Sequence, residues 1–224
     1  MFTVSRQFKK HMLAILAVSM FIWQPAAGAM VTTGEEDGDN YTMVYPLVYV
    51  DDAGAQQAIN DDIAGYLDRF RDAMVNGIED PGIVSGRLYY DEGRIRTETK
   101  YEDADAVSLT LIDYRNTGGA HGSYVVHALT YDKHTGERLV LGKYLHIRPA
   151  DLNQELYTNL YDGQGKPMHY KGAANPIHQV PEDYYLLPDG GIALQFQIYH
   201  LGSYADGAVT IRLNADKVAF YNSH

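Results

Sequence analysis

The 224-residue sequence contains no cysteine, one tryptophan and only six phenylalanines. Without cysteine no disulfide can staple the fold, and thiol catalysis and cysteine-ligated metal are excluded. Positive charge is also scarce: 18 Lys and Arg stand against 29 Asp and Glu, a formal net charge of −11. Such a surface repels nucleic acid and anionic lipid and draws a cationic partner at long range, more weakly as salt rises. Plain solubility is the competing reading of the same charge. No apolar run reaches the roughly 20 residues of a comfortable membrane span, and no internal repeat or low-complexity segment is present.

What is abundant is tyrosine, 19 residues. That number suits half-exposed strands, or a contact face on which each ring offers apolar area and a hydroxyl. The first 29 residues stand apart. Arg6, Lys9 and Lys10 precede an apolar stretch over 12–23, and Ala27-Gly28-Ala29 closes it. This is the three-part pattern of a secretory signal peptide with cleavage expected after Ala29. An uncleaved anchor is the alternative, and the lack of any cysteine rules out a lipoprotein anchor. Cleavage would remove three positive charges and no negative ones, leaving −14 and no membrane span. The expected location is periplasmic or extracellular.

Residues 30–40 are polar and acidic, with Glu35, Glu36, Asp37 and Asp39, and read as a flexible lead-in. They lack the ligand spacing of a calcium loop. The stretch 41–50 is β-branched and aromatic, but Pro46 demotes it to an edge or broken strand. Ile59, Ile63, Leu67, Phe70 and Met74 then recur on one helical face, which predicts a helix over 53–75 ended by Asn76-Gly77. Strands follow at 95–101, 107–114 and 124–131, with a return at 138–141. A second helix is expected over 150–160 on the stripe Leu152, Leu156 and Leu160. The segment 161–181 has no clear period. A hairpin over 184–187 and 192–199, a strand over 208–213 and a short end complete the chain. Helices segregated from a run of antiparallel strands indicate an α+β fold. We expect a long N-terminal helix and a second helix packed on the sheets, in two small subdomains covering 41–116 and 117–224.

Between the strands at 107–114 and 124–131 lies Gly118-Gly119-Ala120-His121-Gly122. A two-residue hairpin turn needs one or two glycines. Three of them around a histidine suggest a backbone in close approach to something. Tyr114, this loop, the hairpin Asp132…Thr135-Gly136, Leu139-Val140-Leu141-Gly142, and the late Phe196-Gln197-Ile198-Tyr199…Tyr204-Ala205-Asp206-Gly207 together resemble a known domain family. It is the extracytoplasmic domain found in RsiV-type anti-sigma factors and beside PdaC-type peptidoglycan deacetylases. The resemblance covers the chain from about Tyr41 and is more specific after Gly118. It implies a PdaC-type first subdomain, an RsiV-type second one, and an envelope module that binds lysozyme or another cell-wall-associated partner, protein or glycan. No deacetylase motif and no cytoplasmic segment for a sigma factor accompany it, so neither of those activities is implied.

Candidate chemistry is sparse. Histidines occur at 121, 127, 134, 146, 169, 178, 200 and 224 of the mature chain, without His-Glu-x-x-His. His121 and His127, on one continuous strand, would lie about 20 Å apart at ~3.3 Å per residue, too far to share a metal. Ser123 and Ser203 lack a nucleophile-elbow context, and the glycine loop lacks the Lys-Ser/Thr ending of a phosphate loop. No catalytic residue, cofactor or metal site is assigned. An envelope enzyme acting on peptidoglycan or its acyl groups is the second functional reading. The candidate binding residues are Tyr114, Gly118, Gly119, His121, Gly122, Tyr199, His200 and Tyr204, and His121 is expected to bond across to the late loop or stack on a tyrosine. The exported protein is expected to begin at Met30. N-terminal sequencing of the secreted chain checks this, and retention of residues 1–29 would identify an anchor instead.

Overall fold

The computed structural model describes residues 30–223. The expected signal peptide and His224 lie outside them. In chain order the elements are β1 (Met30–Asp37), β2 (Tyr41–Tyr49), α1 (Ala53–Asn76), β3 (Ile78–Glu79), β4 (Arg87–Leu88), β5 (Glu92–Glu102), β6 (Ala106–Asn116) and β7 (Ser123–Asp132). They are followed by α2 (Pro149–Glu155), β8 (Leu160–Tyr161), β9 (Tyr184–Leu186), β10 (Ile192–Gln195), β11 (Thr210–Leu213) and α3 (Ala215–Asn222). One sheet has the order β1-β2-β5-β6-β7, a second the order β8-β11-β10-β9, and β3 and β4 form a small hairpin. The fold is α+β, as the segregated pattern indicates. All strand pairs in the two larger sheets are antiparallel except β2 with β5, which run parallel across the α1 crossover.

Helix α1 starts where the Asp52 carboxylate accepts the Ala55 amide at 2.7 Å. Its stripe, Ile59, Ile63, Leu67, Phe70 and Met74, is buried. It packs on Met43, Val48, Ile95, Val107, Leu109, Leu111, Leu129 and Tyr131, the inward residues of the first sheet. On the sheet's opposite face the alternate residues turn polar or small. The Ser108 and Thr130 hydroxyls bond each other at 2.9 Å, Ser108 Oγ accepts the Leu186 amide, and Ala128 packs with Tyr185 and Ala193. Strand β9 therefore lies across β5–β7. A second core, built on Leu152, Leu156, Leu160, Leu194, Phe196, Val209 and Ile211, fills the far face of the second sheet.

Several expectations change. The acidic lead-in is strand β1, held by a bidentate Glu36–Arg71 pair at 2.8 and 2.7 Å. Its polarity suits an edge strand, which carries charge to discourage pairing with other chains. Pro46 falls where β2 is open on its β5 side, which agrees with an edge position. It sits in β2 opposite Thr33, beyond the three residues at which β2 pairs with β5, so its missing amide interrupts no β2–β5 bond. The boundary expected between residues 116 and 117 cuts the β6–β7 hairpin, whose ten-pair register runs from Ala106↔Asp132 to Arg115↔Ser123. The first sheet extends to Asp132, and the sheets divide after it. Residues 138–141 form a single bridge, Tyr131↔Arg138, rather than a strand. Helix α2 ends at Glu155, five residues short, and α3 was not expected.

The two short helices are clasped by Glu155, which is 5% exposed. Its carboxylate accepts from Lys217 Nζ at 2.7 Å, and from the Tyr221 hydroxyl and Asn159 amide at 2.5 Å each. Burial alone would raise its pKa, but these donors together hold it below the ordinary 4.5. A depressed carboxylate pKa gives stability that is complete above 4.5 and lost as pH falls through the folded-state value. Glu155→Gln should therefore lower stability by about 1–3 kcal/mol at neutral pH, because an amide cannot accept from all three donors. Urea unfolding across pH should show the difference from wild type shrinking in acid; a constant difference would disprove the clasp.

Candidate functional site

Beyond Asn116 the chain leaves β6, and the Asn116 side chain accepts the Gly118 amide at 3.0 Å. Gly118 takes the left-handed φ of 82° that favours glycine. The loop then folds back on the strand it came from. A Cβ on Gly122 would stand 2.5 Å from both the Arg115 carbonyl oxygen and the Tyr114 ring. Gly119 meets nothing closer than 3.8 Å. Two of the three glycines are thus required by geometry, and the third is not.

This path leaves the His121 ring on the outside, where it stacks on Tyr204 with centroids 4.5 Å apart and planes inclined by 32°. His121 Nδ1–H donates to the Gly122 carbonyl at 2.9 Å, so Nε2 is the free nitrogen. Tyr204 opens a short 3-10 turn that is fixed reciprocally. The Ser203 amide and hydroxyl donate to the Asp206 carboxylate at 2.8 and 2.6 Å, and the Asp206 amide donates back to the Ser203 carbonyl. Around Tyr204 stand Tyr124 at 6.1 Å and Tyr199 at 6.0 Å. The Tyr124 hydroxyl accepts the Ala208 amide at 3.1 Å, tying β7 to the late segment. Tyr199 is held at φ 65°, a backbone region that strains a bulky residue, and is 59% exposed.

Of the eight candidate residues, His121, Tyr199 and Tyr204 meet in one aromatic shoulder, with Tyr114 and Gly122 beneath the loop. Gly118 shapes the loop from the side of Asp91, and Gly119 leaves room for a side chain. His200 turns away. Its ring packs edge-on against Phe196 at 5.5 Å and lines a hollow with His169 and Lys171 that Tyr199 borders from the shoulder side.

The far side of His121 borders a groove of about 800 Å³ between α1, the β3–β4 hairpin and the ends of β6 and β7. Here the inward face of β6 changes from Val107, Leu109 and Leu111 to Asp113 and Arg115, and that of β7 from Tyr131 and Leu129 to His127. Arg115 bonds both oxygens of Asp113 at 2.8 and 2.6 Å and lies over the Tyr90 and Phe70 rings. His127 rests against Tyr66 at 4.9 Å, and Arg69 covers that tyrosine at 4.5 Å. Burial pushes the His127 imidazole below its ordinary 6.5, against the pull of Asp183 and Asp113, so the ring is neutral at pH 7. These residues escaped the sequence reading; the signal available was polar residues at inward positions of the strand 107–115. The distance of about 20 Å between His121 and His127 holds only if one continuous strand carries both. Strand β7 begins at Ser123, His121 lies in the folded-back loop, and both line this groove.

Gly122→Ala should cost about 1–3 kcal/mol, because its neighbour is backbone that cannot yield. Gly119→Ala should stay within about 0.5 kcal/mol. Thermal unfolding of the two variants tests the assignment, and equal effects would refute it.

No protein-family model matches the chain, and no curated protein matches it. Solved structures do. A DUF3298 family member from Bacteroides fragilis superposes with a TM-score of 0.55 at 15% identity, covering 87% of this chain and 94% of that one. A DUF3298 family protein from Pseudomonas aeruginosa does so with a TM-score of 0.50 at 14% identity, again over 87% and 94%. At these identities the likeness is one of fold, and the chain is similar in fold to these DUF3298 family structures over most of its length.

Proposed function

We propose that this chain is a secreted cell-envelope binding module that docks a cell-wall-associated partner through the shoulder of His121, Tyr199 and Tyr204. The observation that carries the reading is the His121–Tyr204 stack. It joins the loop of one sheet to the turn of the other and fixes both rings before any partner arrives. Exposed tyrosines whose backbone is already ordered give contact area at little entropic cost, as protein-binding surfaces do. The acidic chain, −11 overall and −14 without residues 1–29, adds long-range attraction for a cationic partner. The RsiV-type resemblance supplies a member of that class, a lysozyme. The second reading, an envelope enzyme, draws less support. Among the described residues no three His, Asp or Glu side chains converge as a metal site would require.

Calorimetry of the exported protein with lysozyme should give heat at low salt and weaker binding at moderate salt. Tyr199→Ala and Tyr204→Ala should each lower affinity about tenfold or more if the shoulder is the hot spot. Folded protein that gives no heat at either salt removes lysozyme as the partner.

A further inference from the structure

We propose that the groove beside the shoulder is a binding site for a sugar that carries one carboxylate. This goes beyond the docking reading and uses other residues. The inward face of the first sheet is apolar wherever α1 covers it. On β6 and β7 it becomes polar where the two strands leave the helix, with Leu111 paired to His127 and Asp113 to Val125. An inward strand face does not exchange leucine for aspartate and histidine without cost, since buried polar groups must be satisfied. Asp113 is 9% exposed and is satisfied by Arg115 alone. His127 is half-buried and neutral, and no hydrogen bond engages either ring nitrogen among the described residues. It offers one donor and one acceptor to whatever enters the groove.

The walls suit a sugar ring. Tyr66 and Tyr90 stand on the lining with aliphatic Leu88 and Ile95, and the Asp113–Arg115 pair presents a fixed polar plane. A cleft of about 800 Å³ holds one or two sugar rings. Charge sets the preference for an acid. Arg69, on the rim, has no carboxylate partner among the described residues; it only covers Tyr66. Asp72, its neighbour on α1, is engaged by Asn76 at 2.6 Å. The lining sets two guanidiniums, Arg69 and Arg115, against two carboxylates, Asp72 and Asp113, and of these four the Arg69 guanidinium is the one with no polar side-chain partner among the described residues, so its planar fork is open to a ligand carboxylate. The ligand's carboxylate sits on Arg69 and its hydroxyls on His127 and the Asp113–Arg115 pair.

The test is an NMR titration of the exported protein, following the His127 and His121 imidazole protons. The probes are glucuronic acid and N-acetylmuramic acid, with glucose and N-acetylglucosamine as their uncharged counterparts. Expected are shifts at His127 with an acidic sugar at least about tenfold tighter than its neutral counterpart, the size of one charged hydrogen bond. Arg69→Gln should erase that preference, and His127→Gln should weaken acidic and neutral sugars alike. Binding of only one acidic probe supports the site and tells a uronic acid from a muramic acid. Equal binding of charged and neutral sugars, a preference that survives Arg69→Gln, or no shift at His127 overturns the proposal. Arg69 is exposed and lies over the Tyr66 ring, and no hydrogen bond or ion pair of its side chain holds an element of the fold among the described residues, so its substitution leaves the fold intact. Lysozyme binding measured on the same variants separates the two proposals: it should be unchanged by Arg69→Gln and lost with Tyr204→Ala.

Discussion

The whole architecture depends on side chains that finish what the sheets leave open. Strand β2 pairs with β5 over three residues and then runs free. There the Asn60 side chain of α1 takes over, accepting the Val48 amide at 3.0 Å and donating to the Val48 carbonyl at 2.7 Å. Strand β7 is the far edge of the same sheet, and Gln197 treats Val126 in the same way, at 2.9 and 2.7 Å. Asp183 accepts the Ala128 amide at 2.9 Å, and the Leu139 amide reaches the Thr130 carbonyl at 2.8 Å. A buried backbone group left unpaired costs about 1–3 kcal/mol. Each carboxamide satisfies a donor and an acceptor of one residue, which is what an added strand would do. The helix and the second sheet are thereby fastened to the first at its two unfinished places.

That fastening positions the shoulder. Gln197 lies two residues before Tyr199 and seven before Tyr204, so its grip on Val126 brings the late segment to the start of β7, where the glycine loop ends. Tyr124 secures the same approach through the Ala208 amide. The His121–Tyr204 stack follows from these anchors rather than creating them, since a ring pair adds only about 0.5–1.5 kcal/mol beyond its buried area. Burial raises the pKa of Asp183, against the amides that bond it.

Much of this was legible in the sequence, and the rest was hidden for physical reasons. The α1 stripe and the strand at 124–131 announce themselves by period, because burial on one face imposes it. Strand β1 does not. An edge strand facing solvent has little apolar demand, and Glu36 earns its place only through Arg71, 35 residues away. Helix α3 is eight residues long with no fully buried side chain, so no stripe marks it. Asn60 and Gln197 look like ordinary polar residues because their partners are 12 and 71 residues distant. The expected pairing of His121 with a tyrosine was readable from the loop and late-segment motifs. The polar end of the groove was not, since Asp113 and Arg115 in a strand pass for solvent-facing residues until α1 is placed above them.

The structural and the binding readings of the glycine loop then cease to compete. Gly118 and Gly122 are there because the backbone must turn back under Tyr114 and Arg115. A loop that took the wider path of ordinary residues would carry His121 away from β6, out of reach of both Tyr204 and the groove. The same tight turn that a steric argument demands is what gives the imidazole two neighbours, a tyrosine on one side and the Asp113–Arg115 groove on the other. The bond from Nδ1 to the Gly122 carbonyl favours the orientation that keeps the ring between them. The ring serves as a wall between an aromatic surface suited to a protein and a polar cleft suited to a small acid, and any ligand that fills one side does so against a partition the other side shares.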